Sequence, residues 1–206
     1  MSSLARPTTQ ILAGHVTGAP NAEVPLIGMT DGALVRRTRD GDARAFTELV
    51  DRHAAACLRF AARMLGDRSE AEDVAQETFL RAFKALESYD ERLPFRTWLF
   101  SILINRCRTA MAQRMRRERR VVFDSDALDR TLLAAPQDSV ELREELNRAI
   151  ATLSPEQREA FLLRHVEELS YEEIMSVTGA GMSALKMRVK RACERLQQLL
   201  TEGVRR

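Results

Sequence analysis

The chain has 206 residues, which is enough for one medium domain or two small ones. A hydrophobic content of 45%, a charged content of 30% and an aromatic content of 5% are typical of a folded helical protein and exclude an all-β fold. The net charge is only +2, so it does not by itself predict a nucleic-acid partner. Basic residues are concentrated between Pro94 and Arg120, where eight arginines stand against one acid, Glu118.

Residues 1–29 are predicted to form a disordered extension, because they mix Ala, Pro, Thr and Gly without an apolar run long enough for a signal peptide or a membrane span. We therefore expect a cytoplasmic protein. Cys57, Cys107 and Cys193 lack the paired spacing of a zinc site, and we expect three buried thiols in a reducing compartment. The sequence predicts neither a metal site nor a cofactor.

The first helical segments lie between Asp31 and Gly66. Apolar residues recur there at three- and four-residue spacings, which predicts one amphipathic helix or two in tandem. The next helix is predicted to begin with a capping box formed by Ser69 and Glu72, and to run to about Glu87.

A polar loop, residues 88–93, is predicted to precede a helix that Pro94 opens. The apolar stripe of this helix runs from Phe95 to Ala110. Its opposite face carries Thr97, Ser101, Asn105 and Arg108. The period is lost in residues 116–138, which we assign to an interdomain linker.

Capping signals mark the helices of the second half. One helix is predicted from Ser139 to Thr152, and Ser154 followed by Pro155 marks the start of another. Ser170 and Glu173 form a capping box for a third.

A glycine turn, residues 178–181, separates that third helix from a long final helix that runs to about Leu200. A short helix, a glycine turn and a longer basic helix are typical of a helix-turn-helix. One face of the final helix is apolar, and the opposite face carries Lys186, Met187, Lys190, Arg191 and Glu194. Lysine and arginine opposite a packing face suit the major groove of DNA.

Two further polar groups indicate binding surfaces. The Arg-rich stretch from Arg106 to Arg120 can neutralise phosphates, and Asn105 and Arg108 lie beside an aromatic loop where they could hold an unstacked base. The acidic cluster between Glu70 and Glu77 has no histidine nearby, so it favours an acidic face for a basic partner helix over a catalytic site.

Four segments carry a family resemblance. SEAEDVAQETFLRAFKAL, from Ser69, and PFRTWLFSILINRCR, from Pro94, closely resemble conserved region two of the extracytoplasmic-function (ECF) sigma factors, the group IV members of the bacterial primary sigma factor family. LSPEQREAFLLRHVEELSYEEIMSVTG, from Leu153, and GMSALKMRVKRACERL, from Gly181, resemble region four. The resemblance covers roughly residues 31–200.

This resemblance implies an all-α fold of two small helical domains joined by a flexible linker. Region two would occupy residues 30–115, the linker residues 116–138 and region four residues 139–206. The implied function is promoter-specific initiation of transcription through binding to RNA polymerase core, with no catalysis by this chain.

The resemblance also implies three sets of binding residues. Those for the clamp helices of the largest polymerase subunit are Asp73, Gln76 and Glu77. Those for the minus-ten element, where a flipped base is captured and the strands are melted, are Tyr89, Asn105, Arg106 and Arg108. Those for the minus-thirty-five element are Ser183, Lys186, Met187, Lys190 and Arg191.

Two further partners follow from the resemblance. The apolar surface of region four would meet the flap of the second-largest polymerase subunit, and an anti-sigma factor would hold the protein inactive. One position departs from the family, because Met187 stands where the recognition helix usually has a small polar residue. That substitution bears on the promoter sequence that the helix reads.

Three other classes compete with this interpretation. A helix-turn-helix regulator that binds DNA without acting as a sigma subunit would need a receiver, ligand or dimerisation domain, which the first half does not resemble. A helical adaptor would leave the basic face of the last helix unexplained. An enzyme would need a nucleophile, a metal site or a phosphate loop, and the sequence shows no such motif.

Overall fold

The structure, a computed structural model, describes residues 25–121 and 139–203. Within these two ranges all regular secondary structure is helical, which confirms the predicted all-α fold. The α-helices are α1 (Asp31–Arg39), α2 (Ala43–Leu65), α3 (Arg68–Ala85), α4 (Phe95–Val121), α5 (Ser139–Ala151), α6 (Pro155–Phe161), α7 (Tyr171–Thr178) and α8 (Met182–Gly203). Helices α1 to α4 form one domain and α5 to α8 form a second.

Two helices in tandem, α1 and α2, fill the first predicted helical segment. The break lies at Gly41, whose φ of +94° is a left-handed conformation that glycine adopts without a steric penalty. Asp42 then caps α2 by accepting a hydrogen bond from the backbone N–H of Arg44 at 3.2 Å, and its carboxylate also pairs with Arg37 at 2.7 Å. A buried carboxylate with two arginine partners thus fixes the turn between the helices.

The predicted start of α3 is wrong by two residues. Asp67, not Ser69, is the N-cap, and its side chain accepts a hydrogen bond from the backbone N–H of Glu70 at 2.8 Å. Asp67 directly follows Gly66, which ends α2 with a φ of +72°, so the first available capping residue after the turn is used. Glu72 therefore lies inside the helix, where it pairs with Arg68 at 2.8 Å.

Helix α4 is longer than predicted. It begins directly after Pro94, as expected, and continues to Val121, so residues 116–121, which were assigned to the linker, are helical. Residues 122–138, the remainder of the predicted linker, lie outside the described residues, as do residues 1–24 of the predicted extension. Residues 25–29 of that extension are described, and the carbonyl oxygen of Met29 accepts a hydrogen bond from Arg52 at 2.6 Å.

The capping signals of the second domain are confirmed. Ser154 caps α6 by accepting from the N–H of Gln157, with Pro155 at the start of the helix. Ser170 and Glu173 form the predicted capping box of α7, in which each side chain accepts from the other residue's backbone N–H. Gly179 ends α7 with a φ of +70°.

The segment between α6 and α7 contains a π-helical turn and a bend that the sequence pattern does not predict. The helix widens into a π-helical turn over residues 162–166, and the chain then bends at Glu168, the one non-glycine residue with a positive φ, +56°, among those described. Left-handed backbone is costly for a residue with a side chain. The bend places Glu167 against the first domain.

A continuous apolar core joins the two domains. Its largest fully buried side chains include Phe46, Phe60, Phe100, Leu103, Ile150, Leu162 and Leu163. Helix α4 lies against α7, and α2 lies against α5 and α6, so the contact between the domains is direct. Burial of apolar surface at about 25 cal/mol per Å² is the main stabilising contribution to such a core.

Candidate nucleic-acid interface

The acidic face of α3 is open to solvent. Asp73 and Gln76 are exposed, and Glu77 is half-buried and pairs with Arg81 at 2.7 Å one turn further along. An i,i+4 pair at the surface contributes only a few tenths of a kcal/mol, so it is easily exchanged for a partner's cation. The three residues predicted to bind core thus lie together on one accessible helix face.

The predicted minus-ten residues of α4 are not equally accessible. Asn105 is exposed, whereas Arg106 is half-buried and its Nε is buried without a hydrogen-bond partner. Arg108 is also half-buried, and its guanidinium is held by Glu159 of the second domain through Nε at 2.8 Å and Nη2 at 2.7 Å. Asn105 is therefore the member of this set that is presented openly to solvent.

Tyr89, the fourth predicted minus-ten residue, is buried. Its ring is 6% exposed and packs against Phe95 and Trp98, with centroid distances of 5.7 and 4.9 Å, and its hydroxyl donates to the carbonyl oxygen of Leu93. Burial raises the pKa of the Tyr89 hydroxyl, so it stays a neutral donor. In this conformation Tyr89 supports the loop before α4, and its contact with a base stays a prediction.

A row of polar contacts links α4 to the second domain. In each contact a side chain of α4 donates and a glutamate accepts, and the pairs are Arg96 with Glu167, Thr97 with Glu173, and Arg108 with Glu159. These glutamates were not singled out from the sequence. Their pairing depends on contacts between residues 51 to 76 positions apart, which no local pattern encodes.

Glu167 is the most deeply buried carboxylate of this row. Its carboxylate is 3% exposed and pairs with Arg96, which also donates to the Glu167 carbonyl oxygen at 2.8 Å, while Oε1 is buried without a partner. Burial raises the pKa of Glu167 above its ordinary value, and the charge of Arg96 opposes that rise. Arg96 therefore stabilises the ionised form of this carboxylate in the interface.

The helix-turn-helix is present as predicted. Helix α7, the turn at Gly179 and helix α8 follow one another, and α8 buries Leu185 while its other face is open. The predicted minus-thirty-five residues are all exposed, namely Ser183, Lys186, Met187, Lys190 and Arg191. Met187 is 46% exposed, so its side chain can reach a ligand of the helix.

Tyr171 supports the start of the exposed face of α8. Two cations lie near its ring, with the Arg164 guanidinium 5.4 Å and the Lys186 Nζ 5.9 Å from the ring centroid. Cation–π attraction of this kind contributes about 0.5–1 kcal/mol at exposed sites. No local pattern predicts this contact, because Tyr171 belongs to α7 and Lys186 to α8.

An open apolar groove lies on the second domain between α5, α6 and α8. It is lined by Leu146, Phe161, Cys193, Leu196, Gln197, Leu200 and Thr201. Cys193 was predicted to be buried and is instead partly exposed, with its Sγ 3.6 Å from Nε2 of His165. The reason is that it faces the groove, whereas Cys57 and Cys107 are buried as predicted.

Within the part of the chain that the structure describes, no group of three or more His, Cys, Asp and Glu side chains is arranged to hold a metal ion. Among the same residues, no helix is both long enough and apolar enough to cross a membrane.

Comparisons with known proteins match both domains. The family model for sigma-70 region 2 matches residues 49–120, and that for sigma-70 region 4 matches residues 143–196. The chain is 30% identical over 190 residues to the ECF RNA polymerase sigma-E factor of Salmonella typhimurium, covering 86% of this chain and 98% of that protein. This chain belongs to the ECF sigma factors.

Two further comparisons agree with this assignment. The RNA polymerase sigma factor CarQ of Myxococcus xanthus is 36% identical over 169 residues, which cover 82% of this chain and 96% of that protein. The sigma factor RpoE, in its complex with the anti-sigma factor NepR from Bartonella quintana, superposes with a TM-score of 0.65 at 30% identity, covering 77% of this chain and 98% of that one. The region 2 match thus contains most of α2, all of α3 and nearly all of α4, and the region 4 match contains most of α5, all of α6 and α7 and most of α8.

The capping box of region 4 yields a pH prediction. The backbone N–H of Ser170 donates to Glu173 at 2.8 Å and Thr97 donates at 2.9 Å; the first of these bonds is the main cause that lowers the pKa of Glu173 below its ordinary 4.5. The stability that this carboxylate contributes is therefore fully present above pH 4.5. It is lost as the pH falls through the lowered pKa of Glu173. We expect Glu173→Ala to reduce the free energy of unfolding by about 1 kcal/mol at neutral pH.

Urea denaturation at a series of pH values measures this effect. The difference between Glu173→Ala and the unmodified chain should shrink in acid, and Glu173→Gln, which keeps an acceptor oxygen, should lose less stability at neutral pH. A difference that stayed constant down to the acid limit would contradict a role for the ionised carboxylate.

Proposed function

We propose that this sigma factor binds RNA polymerase core and directs it to promoters, with region 2 acting on the minus-ten element and region 4 on the minus-thirty-five element. The observation that carries this proposal is the presence of both sigma-70 regions, in order, in one helical chain. The chain itself performs no catalysis, since RNA synthesis belongs to core. Because core acts in the cytoplasm, we infer that this is where the protein works.

The exposed acidic face of α3 is proposed to dock on the clamp helices of the largest subunit. Asp73 and Gln76 project into solvent there, and Glu77 is held only by a surface pair. Complementary charge steers and orients such encounters. An acidic, amide-bearing helix face suits a basic coiled coil, and this one is unobstructed by the second domain.

Promoter DNA is proposed to meet α4 and α8. The melted minus-ten strand would bind to Asn105, Arg106 and Arg108, while Tyr89 supports the neighbouring loop. The exposed face of α8, from Ser183 to Arg191, would enter the major groove at the minus-thirty-five element.

Region 4 is also proposed to contact protein partners. The apolar groove lined by Phe161, Leu196 and Leu200 is the place we assign to the flap of the second-largest subunit. An anti-sigma factor is a further proposed partner, since the solved relative from Bartonella quintana is in complex with one.

Run-off transcription tests the proposed function directly. Purified protein is added to sigma-free bacterial core polymerase on a pool of genomic promoter fragments that includes the region upstream of its own gene. We expect discrete initiation that requires both proteins. A folded protein that binds promoter DNA but supports no initiation would favour the competing function, a helix-turn-helix regulator that does not act as a sigma subunit.

Two alanine substitutions in α8 test the division of labour between the regions. Lys186→Ala and Arg191→Ala are each expected to weaken promoter binding, because each removes a cation that neutralises a DNA phosphate. The slope of log affinity against log salt concentration should fall in magnitude by about 1 in each variant. Core binding should be unchanged. Affinities are measured by fluorescence anisotropy on a promoter fragment from the run-off assay.

The matched control is Lys84→Ala, which removes an exposed lysine from α3 rather than from α8. It should leave promoter affinity and the salt slope unaltered. If Lys186→Ala and Arg191→Ala reduced core binding together with promoter binding while the protein stayed folded, the assignment of α8 to DNA alone would be overturned.

A further inference from the structure

The contacts between α4 and region 4 all have the same polarity. Along α4, from Arg96 to Arg108, donors of region 2 meet carboxylate and backbone carbonyl oxygens of region 4, and no described contact in this row has the reverse sense. At 1.5 Å per residue this row follows the helix for about 18 Å. Region 4 therefore contacts α4 at both ends of this row, while Asn105 between them stays exposed.

In the ion pair between Arg108 and Glu159, the carboxylate occupies the position that a DNA phosphate would take. Glu159 is 4% exposed and binds the guanidinium through both of its oxygens, at 2.8 and 2.7 Å. The planar fork of arginine binds a carboxylate and a phosphate with the same two-pronged geometry. An Arg108 that is held by Glu159 cannot hold a DNA phosphate at the same time.

Other contacts keep the carboxylates in place. The Arg158 guanidinium, next to Glu159 on α6, donates to the carbonyl oxygen of Met64 at the end of α2 at 2.7 Å. Thr97, which is 1% exposed, donates to Glu173. The row is thus anchored on two helices of region 2.

We propose that Glu159, Glu167 and Glu173 of region 4 form an intramolecular latch that occupies the promoter-facing side of α4 and holds this sigma factor closed until promoter DNA or core displaces it. The proposal rests on the proposed function, because the latch binds Arg108, one of the residues that we assign to the minus-ten strand. In the closed form the glutamates take the place of DNA phosphates.

The latch covers one DNA-binding surface and leaves the other open. Lys186, Lys190 and Arg191 of α8 remain exposed in the closed form. Asp73 and Gln76 of α3 are exposed as well. The closed protein can therefore meet core or duplex DNA before it exposes Arg108, and the latch withholds Arg108 from single-stranded DNA.

A charge-swap cycle on the full chain tests the latch. Arg108→Glu and Glu159→Arg each place like charges in contact, and the combined variant restores an opposite pair with its sense reversed. We expect the radius of gyration, measured by small-angle X-ray scattering, to increase in each single variant and to return to the original value in the combined one. Glu172→Arg, at an exposed acid of α7 outside the row, is the control and should not change it.

A binding measurement tests the masking of Arg108. The probe is a fluorescent single-stranded DNA of about 20 nucleotides, read by anisotropy. Glu159→Gln removes the charge at nearly constant shape, and Glu172→Gln is its matched control. If about one tenth of the molecules are open, full release tightens binding by about tenfold. The control should change affinity by less than about twofold.

Each outcome decides the proposal. Expansion in the single variants, compaction in the combined variant and tighter DNA binding by Glu159→Gln would establish the latch. An unchanged radius in the single variants, a combined variant that stays expanded, or a Glu159→Gln affinity equal to that of its control would overturn it. If a single variant fails to fold, the unmodified chain is measured between about 0.05 and 0.5 M salt. Expansion with salt then supports the latch, and a constant radius overturns it.

The latch and the proposed function fail separately. Initiation by core without any change of radius in the charge-swap cycle would overturn the latch alone. If the single variants expand and the combined variant is compact, but the protein never supports initiation, the proposed function alone is overturned.

Discussion

Asp73→Arg is expected to weaken binding to RNA polymerase core by about a hundredfold while leaving promoter DNA binding unchanged. Asp73 is exposed on α3, on the face proposed to dock on the clamp helices. Reversing its charge would place like charges together in the complex, which costs several kcal/mol, and about 3 kcal/mol corresponds to a hundredfold change in affinity. Labelled protein titrated with core measures the effect.

The matched control is Asp51→Arg, which reverses an exposed acid on α2 away from the acidic face. It should bind core normally. Residual binding of Asp73→Arg is expected through the apolar groove, and adding Leu200→Asp should remove it. If Asp73→Arg and Asp51→Arg had equal affinities, α3 would not be the docking face.

Phe100→Ala is expected to reduce the free energy of unfolding of region 2 by about 3–5 kcal/mol, the usual cost of emptying a buried aromatic site. Phe100 is fully buried, packs edge to face on Phe60 at 5.4 Å, and lies under the Arg96 guanidinium at 5.3 Å. Domains of this kind have a total stability of about 5–15 kcal/mol, so the variant would be close to unfolding.

Urea denaturation followed by tryptophan fluorescence measures this loss. Trp98 is the single tryptophan of the chain and lies in α4 beside Phe100, so the signal reports on region 2. Met115→Ala, at a side chain that is 52% exposed on the same helix, is the control and should change stability by less than about 0.5 kcal/mol. Equal midpoints for the two variants would show that Phe100 is not a core residue.

Local signals predicted much of the fold. The N-cap at Ser154, the capping box at Ser170 and the break at Gly179 all lie where the sequence placed them, because capping depends on hydrogen bonds within three or four residues. The apolar face of α8 was also predicted from a local pattern, because helical periodicity determines which residues are buried.

The rest depended on contacts between distant residues. Asp67 replaced Ser69 as a cap because it directly follows the turn at Gly66, which ends α2 where the pattern placed it. The sequence placed Tyr89 and Arg108 on a DNA-binding surface, but not the packing of one among aromatic rings or the pairing of the other with Glu159. Cys193 was misjudged because one face of its helix borders a groove that only the assembled domain creates.

The three thiols of the chain differ in their accessibility to solvent. Burial raises the pKa of Cys57 and of Cys107 to about 12, so these two form almost no thiolate at neutral pH. Cys193 is partly exposed at the wall of the apolar groove. A maleimide fluorophore should therefore label the native protein at Cys193, without mutation, and report by its emission when a partner fills the groove.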